Sequence, residues 1–202
     1  MTETTLSHPE NREPTAFTQE ELGWLPWLEP FPTEQLTERH WAGLVDASRA
    51  KSPYFLLLAR DPDVLQARTK TDKDIFYNTS NGLPRAEREL AATATSRSNG
   101  CIFCASVHSR FATQYSKRSA DVQRLLDEGV SADIDNRWNA ITAASVALTA
   151  TPSTFGDEQV GALRKAGLDD LEIVDVINGA AFFNWANRLM LSLGEPAPSA
   201  KS

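Results

Sequence analysis

Cys101, Cys104 and His108 stand three and four residues apart in the run Asn99-Gly-Cys-Ile-Phe-Cys-Ala-Ser-Val-His108. On a helix of about 100° per residue, Cys104 lies about 60° and His108 about 20° round from Cys101, so the three share one face. Phe103 falls on the opposite side. Cys101 would sit in the first helical turn, where unpaired backbone N–H groups and the helix dipole favour an anion and lower a thiol pKa. His108, one turn beyond Cys104, is placed to take that thiol's proton directly or through water. A thiolate at such a site can attack a peroxide oxygen to give a sulfenic acid, and a second thiol one turn away can close a disulfide on it. An outside thiol must then reopen the bond by exchange.

The bland readings are specific too. Free cysteines are often small buried hydrophobes. Cys101, Cys104, His108 and Glu89 could in number supply four zinc ligands, but structural zinc sites draw on two separated ligand pairs and no second pair exists. No metal and no cofactor is therefore expected. His40 lies on a stripe with Leu36 and Leu44 and reads as a core histidine. His8 sits in a polar N-terminus and is set aside. Asn178, Asn184 and Asn187, on a strongly apolar segment, must find partners wherever they are buried, by bonding between helices or by lining a pocket. Trp138, Phe182, Phe183 and Trp185 read as core or subunit-contact residues.

The four polar positions are the part of the chain that resembles a known family. Glu89, Cys101, Cys104 and His108 satisfy every interval of the motif Glu-x11-Cys-x2-Cys-x3-His of the alkylhydroperoxidase D-like proteins, in the carboxymuconolactone decarboxylase superfamily. Ser96-Arg-Ser-Asn-Gly100 resembles that family's approach to the first cysteine. The clear likeness covers about 83–111. Phe183-Asn-Trp-Ala-Asn-Arg188 resembles the peroxidase-related branch. The resemblance implies that Cys104 attacks the peroxide, that Cys101 resolves the sulfenic acid, and that Glu89 and His108 form the proton relay. It also implies a dithiol or lipoyl-type protein as reductant and a homo-oligomeric assembly. One departure stands out: well-studied members carry histidine immediately before the second cysteine, and this chain has Phe103. Periodicity and spacing also disagree over Glu89. Relative to Leu83, Leu90 and Ala94, Glu87 lies nearest the apolar centre and Glu89 about 120° away; the motif spacing selects Glu89.

The rest of the chain must hold these residues in place. Its 202 residues, 41% hydrophobic and 23% charged, suffice for one substantial core. The net charge of −7, with scattered Lys and Arg, argues against nucleic acid as a partner. No stretch approaches the roughly 18 apolar residues of a membrane span, and the N-terminus has no apolar signal core. The expected location is the cytoplasm, where two cysteines this close imply redox work or metal binding rather than a structural bridge.

Residues 1–16 and 195–202 are expected to be disordered, and 17–194 to form a single all-α, compact multi-helix bundle. Within it, 17–32 reads as a Trp- and Pro-rich arm packed on the protein's own core or on a neighbour. Helical runs follow from Thr33, Pro53, Asp61–Pro62 and Pro84, then from about Cys101, Asp121, Asn136, Asp157 and Asp169. Gly129 and Gly167 fall where helix-ending glycines belong. No strand alternation is found. A weak echo links Gly82-Leu-Pro-Arg-Ala-Glu87 with Gly167-Leu-Asp-Asp-Leu-Glu172, a hint of two similar halves.

The function these features favour is thiol-dependent reduction of hydroperoxides. The alternatives are a redox-responsive oligomeric protein without catalysis, motivated by the Trp24–Trp27 arm, and a decarboxylating lyase of the same superfamily, which would not depend on the cysteine pair.

Overall fold

The computed structural model describes residues 5–78 and 80–199. Among them the chain is all-α, with one small β pair. In chain order the elements are β1 (Gly23–Pro26), α1 (Glu38–Leu44), α2 (Pro53–Leu58), α3 (Pro62–Tyr77), α4 (Arg85–Ser98), α5 (Ile102–Ser116), α6 (Ser119–Glu128), α7 (Asn136–Thr149), α8 (Asp157–Lys165), α9 (Asp170–Leu193) and β2 (Gly194–Ala197). No helix among the described residues is long and apolar enough to cross a membrane.

The helix boundaries follow local chemistry. Asp61 caps α3 through Val64 N–H, with Pro62 in the first turn, where a missing N–H costs nothing. Asp169 and Glu172 form a reciprocal capping box at 2.8 and 2.9 Å that opens α9. Gly129 and Gly167 follow α6 and α8 at φ 86° and 87°, a backbone region that glycine enters without strain.

α4 is the buried axis of the bundle, packed against α5, α7 and α9. Every residue from Glu87 to Ser96 is buried, so a helix this polar must satisfy its charges internally. Arg88 does so by donating to Leu83 O, Ile75 O, Asn81 O and Asp175 Oδ2, which ties the α3–α4 loop to α9. Glu87 accepts two bonds of 2.8 Å from Arg137 of α7, and Arg137 also donates to Glu172 of α9 at 2.8 Å. The echo between the two Gly-Leu openings therefore has a geometric counterpart. Gly82 and Gly167 both have positive φ, Leu83 and Leu168 both enter the core, and Glu87 and Glu172 meet on one arginine.

Two corrections concern the ends of the chain. The expected absence of strands fails for β1 and β2, which pair antiparallel with Trp24 opposite Pro196 and Leu25 opposite Glu195. Four residues are too few to show an alternation, and each strand carries a proline of the kind confined to sheet edges. The expected disorder also fails where it can be tested. Leu6 N–H donates to Trp27 O, His8 Nε2 lies 2.7 Å from Pro26 O, and Asn11 donates to Glu195 Oε1 and Pro196 O. Residues 5–16 and 195–199 thus secure each other through the β pair, a relation between opposite ends that composition does not reveal. Residues 1–4 and 200–202 lie outside the described residues.

The apolar interior has two main parts. One lies among α4 to α9, with Leu90, Leu125, Trp138, Ile141 and Val176 among its members. The other gathers Trp24, Tyr54, Phe76, Phe182, Phe183 and Met190 around Cys101 and Cys104. The arm joins this second part: Trp24 packs edge-on to Tyr54 at 5.6 Å.

Candidate active site

The cysteines are delivered by the junction of α4 and α5. Cys101 N–H donates to Ser96 O at 2.9 Å and Gly100 N–H to Arg97 O at 3.4 Å, the two bonds of a Schellman ending. That ending requires the left-handed conformation Gly100 adopts at φ 75°. It turns the chain so that Cys101, the residue that closes α4, is also the N-cap of α5. The junction is anchored to α9: Asn99 Nδ2 donates to Asn184 Oδ1 and Asn187 Oδ1 at 3.1 Å, and Asn187 Nδ2 donates to Ser96 Oγ at 3.0 Å.

Both cysteines are buried free thiols, Cys101 1% and Cys104 7% exposed. Their environments push them apart. The hydrogen bond from the Cys104 thiol holds Cys101 below the ordinary thiol range, with help from the Cys104 backbone N–H and the Asn187 amide against the effect of burial. No cap hydrogen bond is formed at Cys101, so the backbone N–H acts by its dipole at longer range. The same contact with Cys101, together with burial, raises Cys104 well above the ordinary range. Of the two, Cys101 is the thiol whose anion these surroundings favour.

Glu89 is fully buried, and its two oxygens have different partners. Oε1 accepts from Arg85 Nε at 2.6 Å and Nη2 at 2.5 Å; Oε2 lies 2.5 Å from His108 Nδ1. Arg85 supplies the countercharge without which a buried carboxylate is strongly disfavoured. With Nδ1 engaged, Nε2 is the ring nitrogen left to exchange a proton. The imidazole is fixed between Phe183, 4.0 Å between centroids, and Phe76, at 5.4 Å. Spacing, rather than periodicity, located this carboxylate. The apolar side of α4 faces α7 and α9, where Glu87 meets Arg137, while Glu89 faces α5.

Cys104, His108, Glu89 and Arg85 line one cavity of about 530 Å³. Its apolar wall includes Trp24, Tyr54, Phe55, Phe103, Phe183 and Met190. Burial pushes the Tyr54 phenol up to about 12, so it stays protonated. Cys101 does not reach this space; it borders a separate recess of about 40 Å³ with Ile102, Gly194 and Pro196.

Phe103 requires a correction. The wheel centred on the cysteines sets it on the opposite face, yet it lines both cavities. The α5 side chains at the larger cavity are Phe103, Cys104, Val107, His108 and Phe111. Their mean direction is roughly 90° round from Cys101, which puts Phe103 within the lined arc.

Other expectations sort as follows. His40 is partly buried rather than core: its Nδ1 closes a capping box with Thr37 at the start of α1, and its ring lies against Phe31 at 4.5 Å. Asn184 and Asn187 bond between helices, while Asn178 is exposed. Trp138, Phe182 and Phe183 are core, and Trp185 is 41% exposed. Among the described residues no group of three or more His, Cys, Asp or Glu stands placed to share a metal ion. The sequence reading missed Arg85, although its position four residues before Glu89 is a readable ion-pair signal. It also missed Arg68, an arginine on the same stripe of α3 as Leu65, Thr69 and Phe76.

Residues 62–150 match the carboxymuconolactone decarboxylase family. The match spans α3 to α7 and contains all four motif residues. No curated protein matches the sequence. Among solved structures, the chain is similar to a protein of Ralstonia eutropha described as an alkylhydroperoxidase AhpD core and an uncharacterized peroxidase-related protein. The two are 23% identical, with a TM-score of 0.70 and 96% of this chain covering 95% of that one. A peroxidase-related protein of a Silicibacter species is also 23% identical, with a TM-score of 0.68 and coverage of 96% and 97%. A debrominase, Bmp8, was solved apo and, as a variant, with 2,3,4-tribromopyrrole. It is 17% identical, with a TM-score of 0.65 and coverage of 81% and 87%. These likenesses show a shared all-α fold.

Proposed function

We propose that this protein is a thiol-dependent peroxidase that cycles Cys101 and Cys104 between dithiol and disulfide. The observation that carries the reading is the convergence of Cys104 and the Glu89–His108 pair on one cavity.

The chemistry runs in three steps. His108 Nε2 takes the Cys104 proton, which the surroundings otherwise hold on sulfur. The Cys104 thiolate attacks the terminal oxygen of ROOH; the O–O bond breaks, Cys104 becomes a sulfenic acid, and the alkoxide leaves as ROH with the proton returned by His108. Cys101, already favoured as an anion, attacks the Cys104 sulfur and displaces hydroxide, which leaves as water with one further proton. The disulfide is then reduced by an external dithiol, free or carried on a lipoyl-type protein, which is itself oxidised to its disulfide. Glu89 orients the imidazole and stabilises its protonated form, and Arg85 holds Glu89.

Purified protein supplied with dihydrolipoamide and cumene hydroperoxide should consume the peroxide, and Cys104→Ser should abolish turnover. Full activity in that variant contradicts the assignment of the attacking thiol. Bromide release from 2,3,4-tribromopyrrole under the same dithiol, with no peroxide consumption, replaces the peroxidase reading with reductive dehalogenation.

A further inference from the structure

A buried arginine lines the cavity without the close carboxylate that Arg85 has. Arg68, on α3, is 7% exposed, and its Nε and Nη1 are enclosed with no hydrogen-bond partner. The carboxylate it approaches, Asp72 Oδ2, is 3.8 Å from Nη1 and is shared with Arg49 at 3.5 Å. Two guanidinium groups thus share one distant carboxylate. The rest of the Arg68 guanidinium lies beside the Tyr54 hydroxyl and against rings, 5.1 Å from the Phe182 centroid, 5.6 Å from Phe55 and 5.9 Å from Tyr54. Aromatic faces attract a cation but accept none of its in-plane N–H groups. Arg68 and Cys104 line the same cavity. Burying a cation with unmade hydrogen bonds is unfavourable, and a planar anion in the cavity would offset its charge, since guanidinium and carboxylate match in geometry.

We propose that Arg68 is an anion-binding subsite of this cavity, and that its ligand is a small carboxylate with an apolar body. The carboxylate pairs with Arg68, and the body lies along Trp24, Tyr54, Phe103 and Met190 beside Cys104. The carboxylate rests on Arg68 alone. That the ligand is a hydroperoxide rests on the peroxidase reading, and together they name the substrate class: carboxylate-bearing organic hydroperoxides.

The test separates the two claims. Calorimetric titration of the reduced protein with 4-isopropylbenzoate and its neutral isostere 4-isopropylbenzamide needs no turnover. The benzoate should bind about tenfold or more tightly than the amide. Arg68→Met should erase that difference, and Arg68→Lys should keep part of it, because the charge survives without the fork. Equal affinities, no binding of either ligand, or a difference that survives Arg68→Met overturns the subsite. Should Arg68→Met fail to fold, the two-ligand comparison on the natural protein and on Arg68→Lys decides. Cumene hydroperoxide and its 4-carboxy derivative are then compared as substrates. Benzoate binding without turnover of either overturns the peroxidase reading and leaves the subsite standing. Turnover of both at equal kcat/KM, with no binding preference, does the reverse.

Discussion

Glu89 Oε2 and His108 Nδ1 lie 2.5 Å apart across nineteen residues of sequence, and the carboxylate is wholly enclosed while the imidazole borders the cavity. Such a pair fixes which ring nitrogen is free and stabilises positive charge on the ring when that nitrogen gains a proton.

Glu89→Gln should therefore slow peroxide turnover by about 100-fold, the scale of a lost proton-transfer group. The loss should fall on kcat with little change in KM, since Glu89 acts through His108 and not on bound substrate. The variant should also lose about 1–3 kcal/mol of stability, because Arg85 loses its charged partner. Steady-state kinetics and urea unfolding check both parts; unchanged kcat in a folded variant contradicts the relay.

The thiol pair should titrate in two well-separated steps. Following thiolate absorbance at 240 nm, the first step should fall below the ordinary thiol value of about 8.5 and the second well above it. The stability that Cys101 contributes is present above its unfolded value and is lost as pH falls through its lowered folded value. Cys104, raised in the folded state, acts in the opposite sense, and its contribution is lost as pH rises. Asn187→Ala removes an amide that favours both anions, so both steps should move to higher pH. Two thiols titrating together near the ordinary value would contradict the coupling.

The β pair should close the arm over the cavity. A Cβ at Gly194 would fall 2.2 Å from Leu25 O and 2.4 Å from Trp24 Cζ2, so Gly194→Ala cannot keep β1 and β2 in register. The expected cost is about 2 kcal/mol, typical of overpacking, with faster proteolysis of the segment around Trp24. Urea unfolding and limited proteolysis measure these, and an unchanged arm contradicts the role given to the close approach.

Much of this arrangement was legible in the residues. The helices of the bundle announce themselves by Asp-Pro, Asp and Gly punctuation, because caps and C-terminal glycines act within a few residues of where they stand. The spacing of Cys101, Cys104 and His108 places them on neighbouring turns for the same local reason. What could not be read depends on distant partners. β1 and β2 are single short strands that exist only because opposite ends of the chain meet. The orientation of Glu89 depends on which neighbour covers each side of a helix buried all round. Phe103 joins the cavity because the cavity is centred on a different arc of α5 than the cysteines are. Arg68 was hidden because an arginine on an apolar stripe usually reaches its charge out to solvent, whereas here the rings of α2 and α9 enclose it.

The most direct measurement is mass spectrometry of the peptide containing residues 101–104 after a brief, stoichiometric dose of cumene hydroperoxide. The natural protein should show a Cys101–Cys104 disulfide, and Cys101→Ser treated with dimedone should carry the sulfenic acid adduct on Cys104. An adduct on Cys101 in Cys104→Ser with none on Cys104 in Cys101→Ser, or two unmodified thiols in the natural protein, would contradict the account.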